Sequence, residues 1–284
     1  MTVRPPWRVR GARPWGRAAA AALVAALSGG AATPSWSQAP GVAVSVAQPS
    51  GPAVAQPAGG ARAEVPWRVG ERSQYEVRFG KVKVGSGSIE VVQLSEVRGR
   101  EAWHTRFQVK GGTFFYKVND VLESWFDART LASLRFVKDQ EEGRSDREVR
   151  YEIFPERTAF LEVGRGGGEQ PSVAQPLDDG SFFFFVRTLP LTVGETYDLH
   201  RYFKPDRNPV RIRVLRRERI KVPAGTFDAI VVQPTFKTKG IFSENGKAEV
   251  WLSDDARRIV LQMKSSLSFG SLNMYLKSHT PGDV

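Results

Sequence analysis

A chain of 284 residues with no cysteine, three histidines and a formal charge of +11 cannot be a disulfide framework, a thiolate metal site or a cysteine-nucleophile enzyme. Lipid attachment through an N-terminal cysteine is excluded for the same reason. Its stability rests on packing.

Arg4, Arg8, Arg10, Arg13 and Arg17 precede the apolar run Ala18 to Leu27, and small residues with cleavage points near Ala32 or Ala39 follow. This pattern predicts a secretory signal peptide over 1–39. The run is ten residues long, whereas a membrane-crossing helix needs about 20, so no transmembrane anchor is expected in the mature protein. Export is therefore expected. Removing the leader leaves 36 basic against 30 acidic side chains.

Residues 40–64 are almost all Pro, Ala, Gly, Gln, Val and Ser and read as a flexible tether. A single β-rich domain is expected over 65–279, with a tail at 280–284. Its dominant signal is period-two alternation. In "WHTRFQVK" Trp103, Phe107 and Val109 share one face, and in "REVRYEIF" Val149, Tyr151 and Ile153 alternate with Glu148, Arg150 and Glu152. Similar segments recur from Gln74 to Lys277, separated by turns such as "VPAGT", "SENGK" and "SDDAR". They predict a mostly β fold, a large antiparallel curved sheet forming a barrel, half-barrel or sandwich, with one short helix against its concave side.

The helix is expected at "DDGSFFFFVRTLPL". Asp178 or Asp179 can cap it, Ser181 to Leu189 can form about two turns, Arg187 suits its negative end and Pro190 stops it. Phe182 to Phe185 would then point about 100° apart in succession, so they fit a helix with apolar surface on several sides. A doubly buried strand is the competing reading, because phenylalanine favours strands.

The stretches "YEVRFGKVKVGSGSIEV", "FFYKVNDVLESWFD", "SFFFFVRTLPL", "VPAGTFDAIVVQP" and "VWLSDDARRIV", in that order and spacing, resemble the bacterial envelope family named domain of unknown function 3108. Ile259 stands where that family often has proline. The resemblance implies an exported, mostly β protein with one helix held against a curved sheet. It also implies a plan similar to periplasmic lipoprotein carriers, and it brings no catalytic residues.

Chemistry-bearing motifs are sparse. Gly85-Ser86-Gly87-Ser88 lacks the spacing of a nucleophile elbow and reads as a bulge or flexible start of a strand. No helix follows Gly164 to Gly168, so that run is a surface loop rather than a dinucleotide-binding turn. His104, His200 and His279 are scattered and read as solvated, without metal-ligand spacing. Glu141-Glu142, Asp178-Asp179 and Asp254-Asp255 read as turn and cap residues rather than a convergent glycosidase pair. No catalytic residue, metal or cofactor is expected.

Two features read as candidate binding surfaces. Phe182, Phe183, Phe184 and Phe185, with Phe114, Phe115, Tyr116, Trp125 and Trp251, are expected either to be core or to line a cavity for a lipid or other apolar ligand, the helix acting as a displaceable plug. In "RIRVLRRERIKV", Arg211, Arg213, Arg217, Arg219 and Lys221 are expected along one strand face, either paired to glutamates or open to an anionic envelope component. Nucleic acid is not an expected partner. The expected role is therefore a non-enzymatic envelope protein binding an apolar or amphipathic ligand or an envelope partner. A cell-wall-active or carbohydrate-active enzyme and a structural interaction module are the alternatives.

Overall fold

The computed structural model of the chain describes residues 62–113, 116–142, 145–237, 248–267 and 270–283. The expected leader and nearly all of the expected tether lie outside the described residues. Arg62 already belongs to the fold: its Nε and Nη2 donate to Glu101 at 2.6 and 2.5 Å, and Ala63 N–H donates to Ala128 O at 2.9 Å.

Fourteen strands form one sheet: β1 (Arg72–Phe79), β2 (Val82–Val97), β3 (Arg100–Thr113), β4 (Tyr116–Asp127), β5 (Ser133–Glu142), β6 (Ser145–Phe154), β7 (Ala159–Val163), β8 (Gln170–Pro171), β9 (Thr196–Leu199), β10 (Val210–Val222), β11 (Gly225–Thr235), β12 (Glu249–Ser253), β13 (Val260–Leu267) and β14 (Gly270–Thr280). The helix α1 spans Asp179–Val186. The helix reading of the phenylalanine block is the one the fold adopts, and the sheet is single, antiparallel, curved and unclosed.

The sheet order is β8-β7-β6-β5-β4-β3-β2-β1-β14-β13-β12-β11-β10-β9. First and last strands therefore pair in the middle, and the two edges, β8 and β9, are consecutive in sequence. The segment joining them must cross the gap in the wall, and that segment carries α1. Hydrogen bonds among the described residues join the segments that follow the two edges. Leu177 N–H donates to Arg201 O at 2.5 Å and Phe203 N–H donates to Leu177 O at 3.0 Å, while Ser172 Oγ donates to Phe203 O at 2.8 Å.

Alternation decides which residues meet α1. On β1 Tyr75 and Val77 are buried, on β2 Ile89 and Val91, on β3 Phe107 and Val109, and on β4 Leu122 and Phe126. These share the concave face, and their neighbours in sequence lie on the outer face. Ile259, in the turn before β13, donates its N–H to Ser253 Oγ at 2.9 Å, a bond that a proline at this position would lack the donor to make.

Candidate functional site

The helix is fastened at its start by a buried carboxylate. Asp178 is fully buried; its Oδ1 accepts from Gly180 N–H at 2.8 Å and Ser181 N–H at 2.9 Å, and its Oδ2 accepts from Ser124 Oγ of β4 at 2.7 Å. Ser181 Oγ returns the bond by accepting from Asp178 N–H at 2.9 Å, which completes a capping box. Gly180 permits the close approach: a Cβ there would lie 2.9 Å from Ser124 Cβ. Burial pushes the Asp178 carboxyl up to about 6, against the hydrogen bonds that favour its charged form. Asp179 is likewise raised by burial, opposed chiefly by the charge of Lys138, and accepts from Tyr202 OH at 2.7 Å.

The four phenylalanines splay as the helical repeat demands. Phe182 meets Phe236 edge-on at 4.8 Å, Phe183 stacks with Phe107 at 6.2 Å, and Phe184 reaches Trp67 at 5.2 Å and Phe126 at 5.8 Å. Phe185 lies under the Arg201 guanidinium at 4.3 Å. Every residue of α1 is buried, so it is a peg surrounded by wall rather than a helix lying on one. A cavity of about 10 Å³ lies beside Phe183 and Phe184, bounded by Glu71, Ser73, Tyr75, Ile89, Arg187 and Val260. That is room for about one water, and an acyl chain would have to displace the helix.

Past the helix, Arg187 is held by Glu71, Nη1 to Oε1 at 2.7 Å and Nη2 to Oε2 at 3.1 Å. It also donates to Arg257 O at 2.8 Å and covers the Trp67 and Phe184 rings at 5.4 and 5.6 Å. This buried pair, and the Asp179–Tyr202 contact, escaped sequence reasoning because the partners are far apart in the chain.

Other predicted site residues are placed differently. Phe114 and Phe115 lie outside the described residues, and of Tyr116 only the backbone, in β4, is described. Trp125 does not join the phenylalanines. Its neighbours Ser124 and Phe126 face α1, so alternation turns Trp125 to the outer face, where it stacks on His104 at 4.2 Å and underlies Arg135 at 5.7 Å. Trp251 is also turned outward, its Nε1 donating to Glu218 at 2.6 Å.

The basic stripe is split. Val214 pairs with Val232 but Arg216 with Val231, and this β-bulge at Leu215 reverses the phase of the strand. Arg211 and Arg213 therefore share the outer face with Gln233, whereas Arg217, Arg219 and Lys221 fall on the side of Ile230 and Asp228. Arg211 binds Asp198 at 2.7 Å and Arg217 binds Asp254 at 2.8 Å.

His104 is buried, not solvated, with Nε2 3.0 Å from Glu123 Oε1. His279 sits in β14 and is half-buried rather than solvated, its Nδ1 3.0 Å from Ser73 Oγ. His200 is exposed. Asp255 organises the β12–β13 turn, accepting from Ser253 Oγ at 2.6 Å and from Arg257 N–H at 3.0 Å. Among the described residues no cluster of three or more His, Asp or Glu side chains is arranged to hold a metal. Nor is any described helix long and apolar enough to cross a membrane.

In fold, the chain is similar to a β-barrel-like protein of domain of unknown function DUF1849 from Brucella abortus, with a TM-score of 0.51 at 11% identity over 78% of this chain and 100% of that one. Two further solved structures align at lower scores. One is a candidate lipoprotein from Parabacteroides distasonis (TM-score 0.35, 10% identity, 76% of this chain and 98% of that one). The other is a candidate exported protein with a YmcC-like fold from Bacteroides fragilis (TM-score 0.35, 8% identity, 78% and 100%). No curated protein matches the chain in sequence. A family model does match, over residues 74–277, and the chain belongs to that family, described as Protein of unknown function (DUF3108).

Proposed function

We propose that this is an exported, non-enzymatic binding protein of the bacterial envelope that takes an apolar or amphipathic ligand on its concave face when α1 yields its place. The observation that carries this reading is the position of α1: an eight-residue helix, with phenylalanines on every side after its polar first turn, set between the two edges of the described sheet. The walls around Phe182 to Phe185 are aromatic and aliphatic apart from the guanidinium groups of Arg187 and Arg201 over Phe184 and Phe185, so a chain that replaced the helix would meet a mainly apolar surface. Export is supported by the arginine-led apolar leader. A binding role is favoured over an enzymatic one because Asp178, Asp179 and Asp255 spend their oxygens on capping, on Tyr202 and on a turn.

A cysteine-free chain offers a clean test. Ser133 Oγ and Ser181 Oγ lie 2.8 Å apart, so Ser133→Cys/Ser181→Cys can tie α1 to β5 through an S–S bond of about 2.05 Å. A fluorescent fatty acid should bind the reduced variant and be excluded from the oxidised one. Equal binding in both states, or none in reduced and wild-type protein, overturns the reading.

A further inference from the structure

On the outer face, away from α1, β2 presents two short side chains, Ser86 and Ser88, before Glu90, and the longer side chains of β1 and β3 flank them. Ser88 stands opposite Gln74 on one side and Gln108 on the other. The result is a groove of about 250 Å³ lined by Arg72, Gln74, Ser86, Ser88, Gln108, Lys110 and Lys277, with Gly87 and Tyr75 beneath. That lies just below the range of about 300 to 1,000 Å³ typical of small-molecule sites.

The groove's lining is cationic, with Glu76 opposite Ser86 and Glu90 opposite Arg72 standing just outside it. No carboxylate lines it. Its three cations are in no ion pair among the described residues, although nearby cations are: Arg78 and Lys83 with Glu76, and Arg106 with Glu123. The two amides are oriented from behind. Gln108 Nε2 donates to Asn119 Oδ1 at 2.9 Å, which leaves its Oε1 as an acceptor; Gln74 Oε1 accepts from Ser278 Oγ at 3.3 Å, which leaves its Nε2 as a donor. Two serine hydroxyls add groups that both donate and accept. Cations around the rim of a row of fixed neutral donors and acceptors match an anion that carries hydroxyls.

We infer that this outer groove is a binding site for a phosphorylated polyol, its phosphate held among Arg72, Lys110 and Lys277 and its hydroxyls by Gln74, Gln108, Ser86 and Ser88. The polyol phosphate can be a free sugar phosphate or the headgroup of a lipid, and the site is independent of the interior around α1.

Titration calorimetry with glucose 1-phosphate, glucose and inorganic phosphate tests the chemistry, and flotation with phosphatidylcholine vesicles with and without phosphatidylglycerol tests the source. Glucose 1-phosphate should bind more tightly than inorganic phosphate, and glucose not measurably. Lys110→Glu should weaken binding about tenfold or more, the effect of about 1.4 kcal/mol, and Ser88→Tyr should fill the groove without changing its charge. Both substitutions are on the solvent face, and unchanged melting curves verify the fold. Vesicle binding that requires phosphatidylglycerol and is lost in Lys110→Glu assigns the source to a lipid headgroup. Binding of inorganic phosphate as tight as that of glucose 1-phosphate, insensitivity to both variants, or no binding in either arm overturns the inference.

Discussion

Ser124 Oγ, on β4, donates to Asp178 Oδ2 at 2.7 Å, so the residue that caps α1 is held by the wall the helix fills. This fastening has a definite pH signature. The folded-state carboxyl titrates at about 6 instead of 3.8 because of burial. A raised pKa means the native state binds the proton more tightly, so the contribution is fully present below about 4 and is lost as pH rises through about 6. At about 1.4 kcal/mol per pH unit, the loss is on the order of 3 kcal/mol. Carboxylates lowered by arginines, such as Glu76 beside Arg78, act in the opposite sense, so the readout is a difference. Urea unfolding from pH 4 to 7 should show wild type losing stability relative to Asp178→Asn. A flat or reversed difference would mean Asp178 is readily ionised in the fold. Asp178→Ala should cost about 1 to 2 kcal/mol through the lost cap alone.

The Arg187–Glu71 pair predicts an asymmetry between breaking and replacing. Its side chains are 4% and 9% exposed. Glu71→Ala strands a buried guanidinium and is expected to cost about 3 to 5 kcal/mol, whereas Arg187→Met/Glu71→Leu, which removes both charges, should cost far less. Denaturant midpoints for the two variants decide the matter. Equal losses would show that the pair's value lies in Arg187 packing over Trp67 and Phe184.

Most of this wall was legible in the sequence. Residues Val210 to Val222 were readable as β10, to the residue, because alternation and the following Pro-Ala-Gly turn are local signals. Two-residue β8 has no period to read. The bulge at Leu215 left no trace either: an extra residue changes no composition, yet it separates Arg213 from Arg217. Asp178 was readable as a cap but not as a buried one, since exposed and buried caps use the same residue types. The outer groove draws its lining from β1, β2, β3 and β14. Only the pairing register brings Lys277 near Arg72, and periodicity within a strand says nothing of register between strands.

The glycines of β2 are a case where the backbone, not a ligand, sets the residue. A Cβ on Gly85 would sit 2.2 Å from Lys110 O, and one on Gly111, its cross-strand partner, 2.5 Å from Val84 O. Gly85→Ala should therefore destabilise by about 1 to 3 kcal/mol as the strands are pushed apart. Gly168→Ala, with nothing within 4 Å, should stay within about 0.5 kcal/mol of wild type. Thermal melts of the two variants check this contrast, and similar behaviour would remove the close approach of β2 and β3.

Truncating the peg tests whether the interior is a packed solid or one that can accept a guest. Phe183 lies beside the cavity of about 10 Å³ and stacks on Phe107. Phe183→Ala is expected to cost about 3 to 5 kcal/mol and to leave a mainly apolar void facing Phe107, Phe182, Tyr75, Ile89 and Val260. Such voids stay dry and take benzene or xenon, and a ligand that binds only the folded state raises its stability by mass action. The melting temperature of Phe183→Ala should therefore rise with benzene while that of wild type does not. If benzene leaves the variant unchanged, the neighbouring rings have closed over the gap. An interior that heals in this way would not keep a preformed apolar surface behind α1, and the displaceable-helix reading would lose its physical basis.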